Sequence, residues 1–176
     1  MANTNSTTIT HSEILCTQPG TEPAIATLLK TPINVTMDLF QVLDCCESLA
    51  DALIENDSNT ERMALYGRLY AGLEALKVVL KAPLPEYLID RLTADLAKED
   101  DYRSPLTTDS ESLREYCAAL TMLLLQGQQS PVQEKHITGL VFELFGILAE
   151  DLKAPRFIRT DAGLMMINAE ATNEIH

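Results

Sequence analysis

The chain contains no Trp, and aromatic residues make up only 5% of it. Leu, Ala, Ile, Val and Met must therefore fill the interior, a palette that suits helix packing better than sheet packing. Long apolar runs are also missing, because no window reaches the roughly 18 uninterrupted apolar residues of a membrane span. The stretch Met1 to Thr10 is polar, with neither a basic start nor an apolar centre, so no secretory signal is expected there. The four cysteines, Cys16, Cys45, Cys46 and Cys117, lack framework spacing, and two of them are adjacent. Reduced thiols in a cytoplasmic protein are the expected state.

Residues that carry chemistry are equally sparse. The three histidines, His11, His136 and His176, are far apart, and neither Cys-x-x-Cys nor His-Glu-x-x-His occurs. Glu134 and His136 are two positions apart and diverge on a helix. Cys46 falls on an apolar stripe, where a thiol usually serves as a small hydrophobe. Its neighbour Cys45 has nothing basic nearby in sequence to lower its pKa. A glycine-rich phosphate loop is missing too. On these grounds no catalytic, cofactor-binding or metal-ligating residue is assigned, and a non-enzymatic protein is expected.

Positive charge is the last scarcity. Thirteen Lys and Arg face 26 Asp and Glu, a formal net charge of −13. Such a surface repels nucleic-acid backbones and anionic membranes, so direct binding to either is not expected. It is compatible with a partner protein that has a basic surface, and it also keeps the chain in solution.

What the sequence does have is helical periodicity. At 176 residues it fits one domain with a sizeable core. Residues 1–31 read as a flexible Thr-, Ser-, Asn- and Pro-rich arm, with the apolar piece Ala24 to Leu29 able to form a helical turn or dock. A helix is predicted from about Asn34 to Asn56, with Leu39, Leu43, Cys46, Leu49, Ala50 and Leu53 on one stripe. Ser58 with Glu61 forms a capping-box signature for a second helix, carrying Leu65, Leu69, Leu73, Leu76 and Leu80. A third, linker helix is predicted over 84–100, with Leu88, Leu92 and Leu96 on a narrow stripe. Thr108 with Glu111 signals a fourth helix to about Gln126, stopped by Gly127. Ser130, Pro131 and Gln133 open a fifth that runs to about Lys153. Residues 156–176 change character: two short extended runs, Arg156 to Thr160 and Leu164 to Ile167, flank a turn and predict a small β-hairpin.

The second and fifth helices align at a shift of 72 residues: Gly67 falls on Gly139, Leu69 on Val141, and Leu73 on Phe145. Leu80-Lys81-Ala82-Pro83 likewise meets Leu152-Lys153-Ala154-Pro155. The preceding helices align at a shift of 71, Cys46 on Cys117 and Leu49 on Leu120. This predicts an all-α fold: a four- to five-helix bundle over 32–155, made from a duplicated helical hairpin (about 34–83 and 108–155). The paired glycines are expected to let helices approach closely.

Two surfaces are candidates for partner binding. Asp95, Glu99, Asp100 and Asp101 concentrate negative charge around the linker. Arg156, Phe157 and Met165 mark a tail more apolar than a frayed end requires, suited to capping the bundle, to a partner, or to a second copy of the chain. An adaptor, regulator or inhibitor acting through either surface is the expected function. The alternatives are a nucleic-acid-mimicking inhibitor, with carboxylates spaced like phosphates, and a small enzyme. The enzyme would need a polar pocket between the hairpins, with perturbed carboxylates or His136.

Overall fold

The computed structural model describes residues 24–95, 109–160 and 163–167. They form six helices and three strands: α1 (Ala24–Lys30), α2 (Leu39–Glu55), α3 (Asn59–Val79), α4 (Glu86–Arg91), β1 (Thr93–Asp95), α5 (Ser110–Leu125), α6 (Pro131–Lys153), β2 (Phe157–Thr160) and β3 (Gly163–Met166). The protein is mostly helical, with a small sheet close to its C-terminal end.

Local hydrogen bonds set the helix ends. α2 starts at Leu39 and not near Asn34, because the Asn34 carboxamide oxygen accepts the Thr36 amide at 2.9 Å and holds that stretch in a turn. Asp38 then caps the helix: its carboxylate accepts the Gln41 amide at 2.9 Å, and the Gln41 side chain accepts the Asp38 amide at 3.0 Å. Ser58 caps α3 as predicted, but Glu61 does not close the box. Its carboxylate accepts the Asn56 side-chain amide at 2.7 Å instead. α5 is capped by Asp109, whose carboxylate accepts the Ser112 amide at 2.8 Å; Thr108 lies outside the described residues. Gly127, at φ +63°, ends that helix in the left-handed conformation that glycine tolerates. α6 opens on the Ser130–Gln133 capping box with Pro131 in its first turn, as the sequence predicts.

The predicted linker helix is the main correction. α4 stops at Arg91 after six residues, and the chain turns into β1. The Leu92 carbonyl, which a continuing helix would give to residue 96, instead accepts the amides of Arg156 at 2.7 Å and Phe157 at 3.0 Å. The Thr93 hydroxyl donates to the Ile89 carbonyl at 2.6 Å and closes the helix end. β1 then pairs in parallel with β2, and β2 pairs antiparallel with β3 in the predicted hairpin. Within the arm predicted to be flexible, Ala24–Lys30 is helical and packs on α2 and α3; the rest of that arm lies outside the described residues.

The four long helices close a ring, α2 against α3, α3 against α5, α5 against α6, and α6 against α2. Their stripes meet inside it. Leu39, Leu43, Cys46, Leu49, Ala50 and Leu53 of α2 are all buried, as are Leu65, Leu69, Leu73 and Leu76 of α3. Each fully buried leucine contributes about 1.5–3 kcal/mol. Arg114 is also buried; its guanidinium lies 3.6 Å from Glu74 of α3 and 3.3 Å from Glu115. Lys153 bridges α6 to α2 through Asp44 at 2.7 Å and Glu47 at 2.6 Å.

The paired glycines do not mark a close approach, since a Cβ at Gly67 or Gly139 would meet nothing within 4 Å. The close contact is at Gly72, where a Cβ would overlap the Cys46 sulfur. Gly72→Ala should therefore destabilise the protein by about 1–3 kcal/mol in urea unfolding. Combining it with Cys46→Ala should cost less than the sum of the two single changes. Gly67→Ala, on an open helical surface, should stabilise by up to about 1 kcal/mol.

Candidate functional site

The three-stranded sheet is where the candidate residues gather. β2 lies in the middle, with β1 and β3 as the two edges. Ile158 is buried and Phe157 is half-buried against the core, so β2 is anchored to the helices. Arg159 points out and pairs with Asp90 of α4 at 3.1 Å. The turn is closed by the Thr160 hydroxyl donating to the Gly163 carbonyl at 2.9 Å, with Gly163 at φ +118°, a conformation other residues rarely adopt.

β3 differs from an ordinary edge strand. Successive side chains alternate between faces, so a strand lying on a core buries every second residue. Here all four residues from Gly163 to Met166 are exposed, and Leu164, Met165 and Met166 keep 45%, 45% and 60% of their surface in solvent. No residue of β3 on either face is buried by the described residues. The Ile167 amide donates to the Arg156 carbonyl at 2.9 Å, and hydrogen-bonded pairs alternate along an antiparallel ladder. Given the register Ile158↔Met165, the main-chain amides and carbonyls of Leu164 and Met166 therefore face outward from the sheet edge.

Four of the seven sequence-selected residues meet at this sheet. Asp95 ends β1 in register with Arg159; Phe157 is flanked by Thr93 and Met166; Met165 is opposite Ile158; Arg156 directly precedes β2. The parallel β1–β2 pairing thus brings the backbone of Asp95 beside the segment that carries Arg156 and Phe157. Glu99, Asp100 and Asp101 lie outside the described residues. Sequence reasoning missed β1 entirely. It also missed the Asp90–Arg159 ion pair, which depends on that strand.

A second polar cluster joins α3 to α6. Tyr66 is fully buried, its hydroxyl 2.7 Å from the Thr138 hydroxyl and donating to Glu134 Oε1 at 3.2 Å. Arg62 Nε meets the same carboxylate oxygen at 3.0 Å, and the Thr138 hydroxyl, with one proton to give, is within reach of both the Tyr66 oxygen and the Glu134 carbonyl, the latter at 2.8 Å. Burial, opposed by the Thr138 hydrogen bond and assisted by the Glu134 charge, raises the Tyr66 pKa. Every polar group here has a protein partner, so the cluster fastens two helices and leaves no reactive group unpaired.

The buried thiols are poor nucleophiles. Burial pushes Cys117 up to about 12, against the nearby Arg114 charge, and raises Cys46 further, with Cys45, Glu47 and Cys117 adding to the effect. Cys45 is also raised by burial, with the Arg68 charge working the other way. Among the described residues no group of three or more His, Cys, Asp or Glu is placed to hold a metal ion, and no helix is long and apolar enough to cross a membrane. No protein-family model, curated protein or solved structure matches this chain.

If the Tyr66 cluster is a structural clasp, Tyr66→Phe should cost about 1–2 kcal/mol in urea unfolding, with an unchanged denaturant slope. Thr138→Val should couple with it in a double-mutant cycle, because the two hydroxyls share one hydrogen bond.

Proposed function

We propose that this is a non-enzymatic interaction protein of the cytoplasm that captures an extended strand of a basic partner protein along β3. The observation carrying this reading is the open strand itself, whose outward amides and carbonyls no described residue pairs and whose apolar side chains are exposed on both faces. Main-chain hydrogen bonds would supply affinity for an added strand, and Leu164, Met165 and Met166 would select its side chains.

Charge favours a basic occupant. The chain carries −13 overall, while the segment from Gly163 to Ile167 carries no charge. A second copy brings the same net charge and is repelled, whereas a strand with Lys or Arg at its ends is attracted. Asp95, Glu99, Asp100 and Asp101 are assigned to that attraction, and Phe157 and Met165 to the apolar contact.

The scaffold beneath is read as a duplicated hairpin, and the helix ring supports this. Exchanging α2 with α5 and α3 with α6 carries the α2–α3 contact onto α5–α6, and α3–α5 onto α6–α2. The pairs Arg62–Glu134 and Tyr66–Thr138 each join residues 72 apart, the repeat shift itself, as expected for side chains near a two-fold axis between copies. The copies are not equivalent throughout, since Arg114 stands where the first copy has Leu43.

Short synthetic peptides of alternating Val and Thr, flanked by Lys or by Glu, test the reading by fluorescence anisotropy. The Lys-flanked peptide should bind, weaken as salt rises, and weaken again on charge reversal of the four acidic residues. Met166→Pro removes an outward amide and leaves the β2–β3 ladder bonds in place, so it should abolish binding without unfolding the protein. Equal binding by Met166→Pro, or no binding by the wild-type protein, would overturn the proposal. A concentration-dependent dimer abolished by Met166→Pro would replace the basic partner with a second copy.

A further inference from the structure

We infer that the cleft between the start of α2, the end of α3 and Arg156 is a binding site for a small apolar monocarboxylic acid. The cleft holds about 170 Å³ and is walled by Met37, Val79, Leu84 and Leu88. That is roughly the volume that accepts one benzene-sized group, and the walls have the apolar character that retains it. No residue of β3 lines it, and it does not depend on strand capture.

Two charged residues line it, Asp38 and Arg156, and only Arg156 has donors left to offer an anion. The Asp38 carboxylate caps the Gln41 amide at 2.9 Å through one oxygen and accepts the Tyr87 hydroxyl at 3.2 Å through the other. Arg156 is half-buried and pairs with no carboxylate among the described residues; its guanidinium makes one long hydrogen bond, 3.5 Å to the Leu152 carbonyl. In a chain with twice as many acidic as basic residues, a half-buried arginine that meets no anion among the described residues is conspicuous. Its backbone is fixed on both sides, by its amide on the Leu92 carbonyl at 2.7 Å and its carbonyl on the Ile167 amide at 2.9 Å. A guanidinium matches a carboxylate through two parallel hydrogen bonds, which supplies the polar end of the ligand.

The walls favour a free small acid over the C-terminus of a peptide. Pro83 and Pro85 are part of the lining and have no amide to offer a peptide backbone, and the volume holds little more than one side chain. The anion in the same lining, Asp38, has its charge partly satisfied by the Gln41 amide and the Tyr87 hydroxyl, and the ligand carboxylate is assigned to Arg156.

Titrating the full chain with hexanoate and with hexanamide, followed by amide chemical shifts in NMR, tests the assignment. Hexanoate should saturate one site, shifting residues around Met37, Leu84 and Arg156, and should bind on the order of ten- to a hundredfold more tightly than the neutral amide. Arg156→Gln should erase that preference. Ala82→Phe, which fills the cleft from an exposed position, should abolish binding while leaving the melting temperature close to wild type, and so provides a control that does not touch Arg156. Equal affinity for acid and amide, hexanoate binding undiminished by Ala82→Phe, or no saturable binding would overturn the inference. So would tighter binding of a peptide ending in a free Leu carboxylate than of hexanoate.

Discussion

The Leu92 carbonyl accepts two main-chain amides, from Arg156 and Phe157, and much of the molecule's outer structure follows from that one junction. It occupies the acceptor that α4 would need to continue, so the helix ends and the chain becomes β1. It also fixes the first residues of β2 beside β1 and sets the parallel register of Thr93 with Phe157. With β2 held in this way, β3 is carried outward as an edge, and Arg156 is held next to the end of α3. Both surfaces proposed to bind ligands therefore depend on a hydrogen-bonded contact between segments far apart in sequence.

Beneath the sheet, a different force is dominant. The helix ring is held by leucine stripes facing inward, with Gly72 giving the Cys46 sulfur the space it occupies. The polar residues that enter this core pair with one another or lie near opposite charge, although the buried Arg114 Nε meets no hydrogen-bond partner among the described residues. Tyr66 and Thr138 share a hydrogen bond, and Arg114 lies near Glu74 and Glu115. The apolar term supplies most of the stability, and the polar contacts set which helix lies beside which. That division suits a scaffold whose interior is closed and whose chemistry lies at its margin.

The acidity of the chain acts on that margin. Several of its cations are consumed internally: Lys153 by Asp44 and Glu47, Arg62 by Glu134, Arg159 by Asp90. Arg91 stacks over the Phe40 ring at 3.8 Å and ties α4 to α2. The proposed capture of a basic strand rests on this contrast between an uncharged apolar edge and a strongly negative body. Arg156, which pairs with no carboxylate among the described residues, is the charge on which the proposed preference of the nearby cleft for an anion rests.

The amino-acid sequence by itself determined the features that depend on residues a few positions apart. The stripes of α2 and α3, the Ser130–Gln133 box, the Gly127 stop and the β2–β3 hairpin are all legible because helical period, cap and turn chemistry are local. Asp38 and Gln41 also form a local box, a signal weaker than the longer stripe that follows it. Of the candidate site, Arg156, Phe157 and Met165 stood out by composition, and Asp95 by charge. Their meeting on one sheet did not, because parallel pairing leaves no short-range periodicity to read. The tertiary structure alone decided that Leu88 and Leu92 belong to a short helix and its cap, that Gly72 and not Gly67 faces a neighbour, and that β3 is open on both faces. Each of those outcomes depends on which distant group reaches a carbonyl or a Cβ position first, and local sequence does not encode that distance.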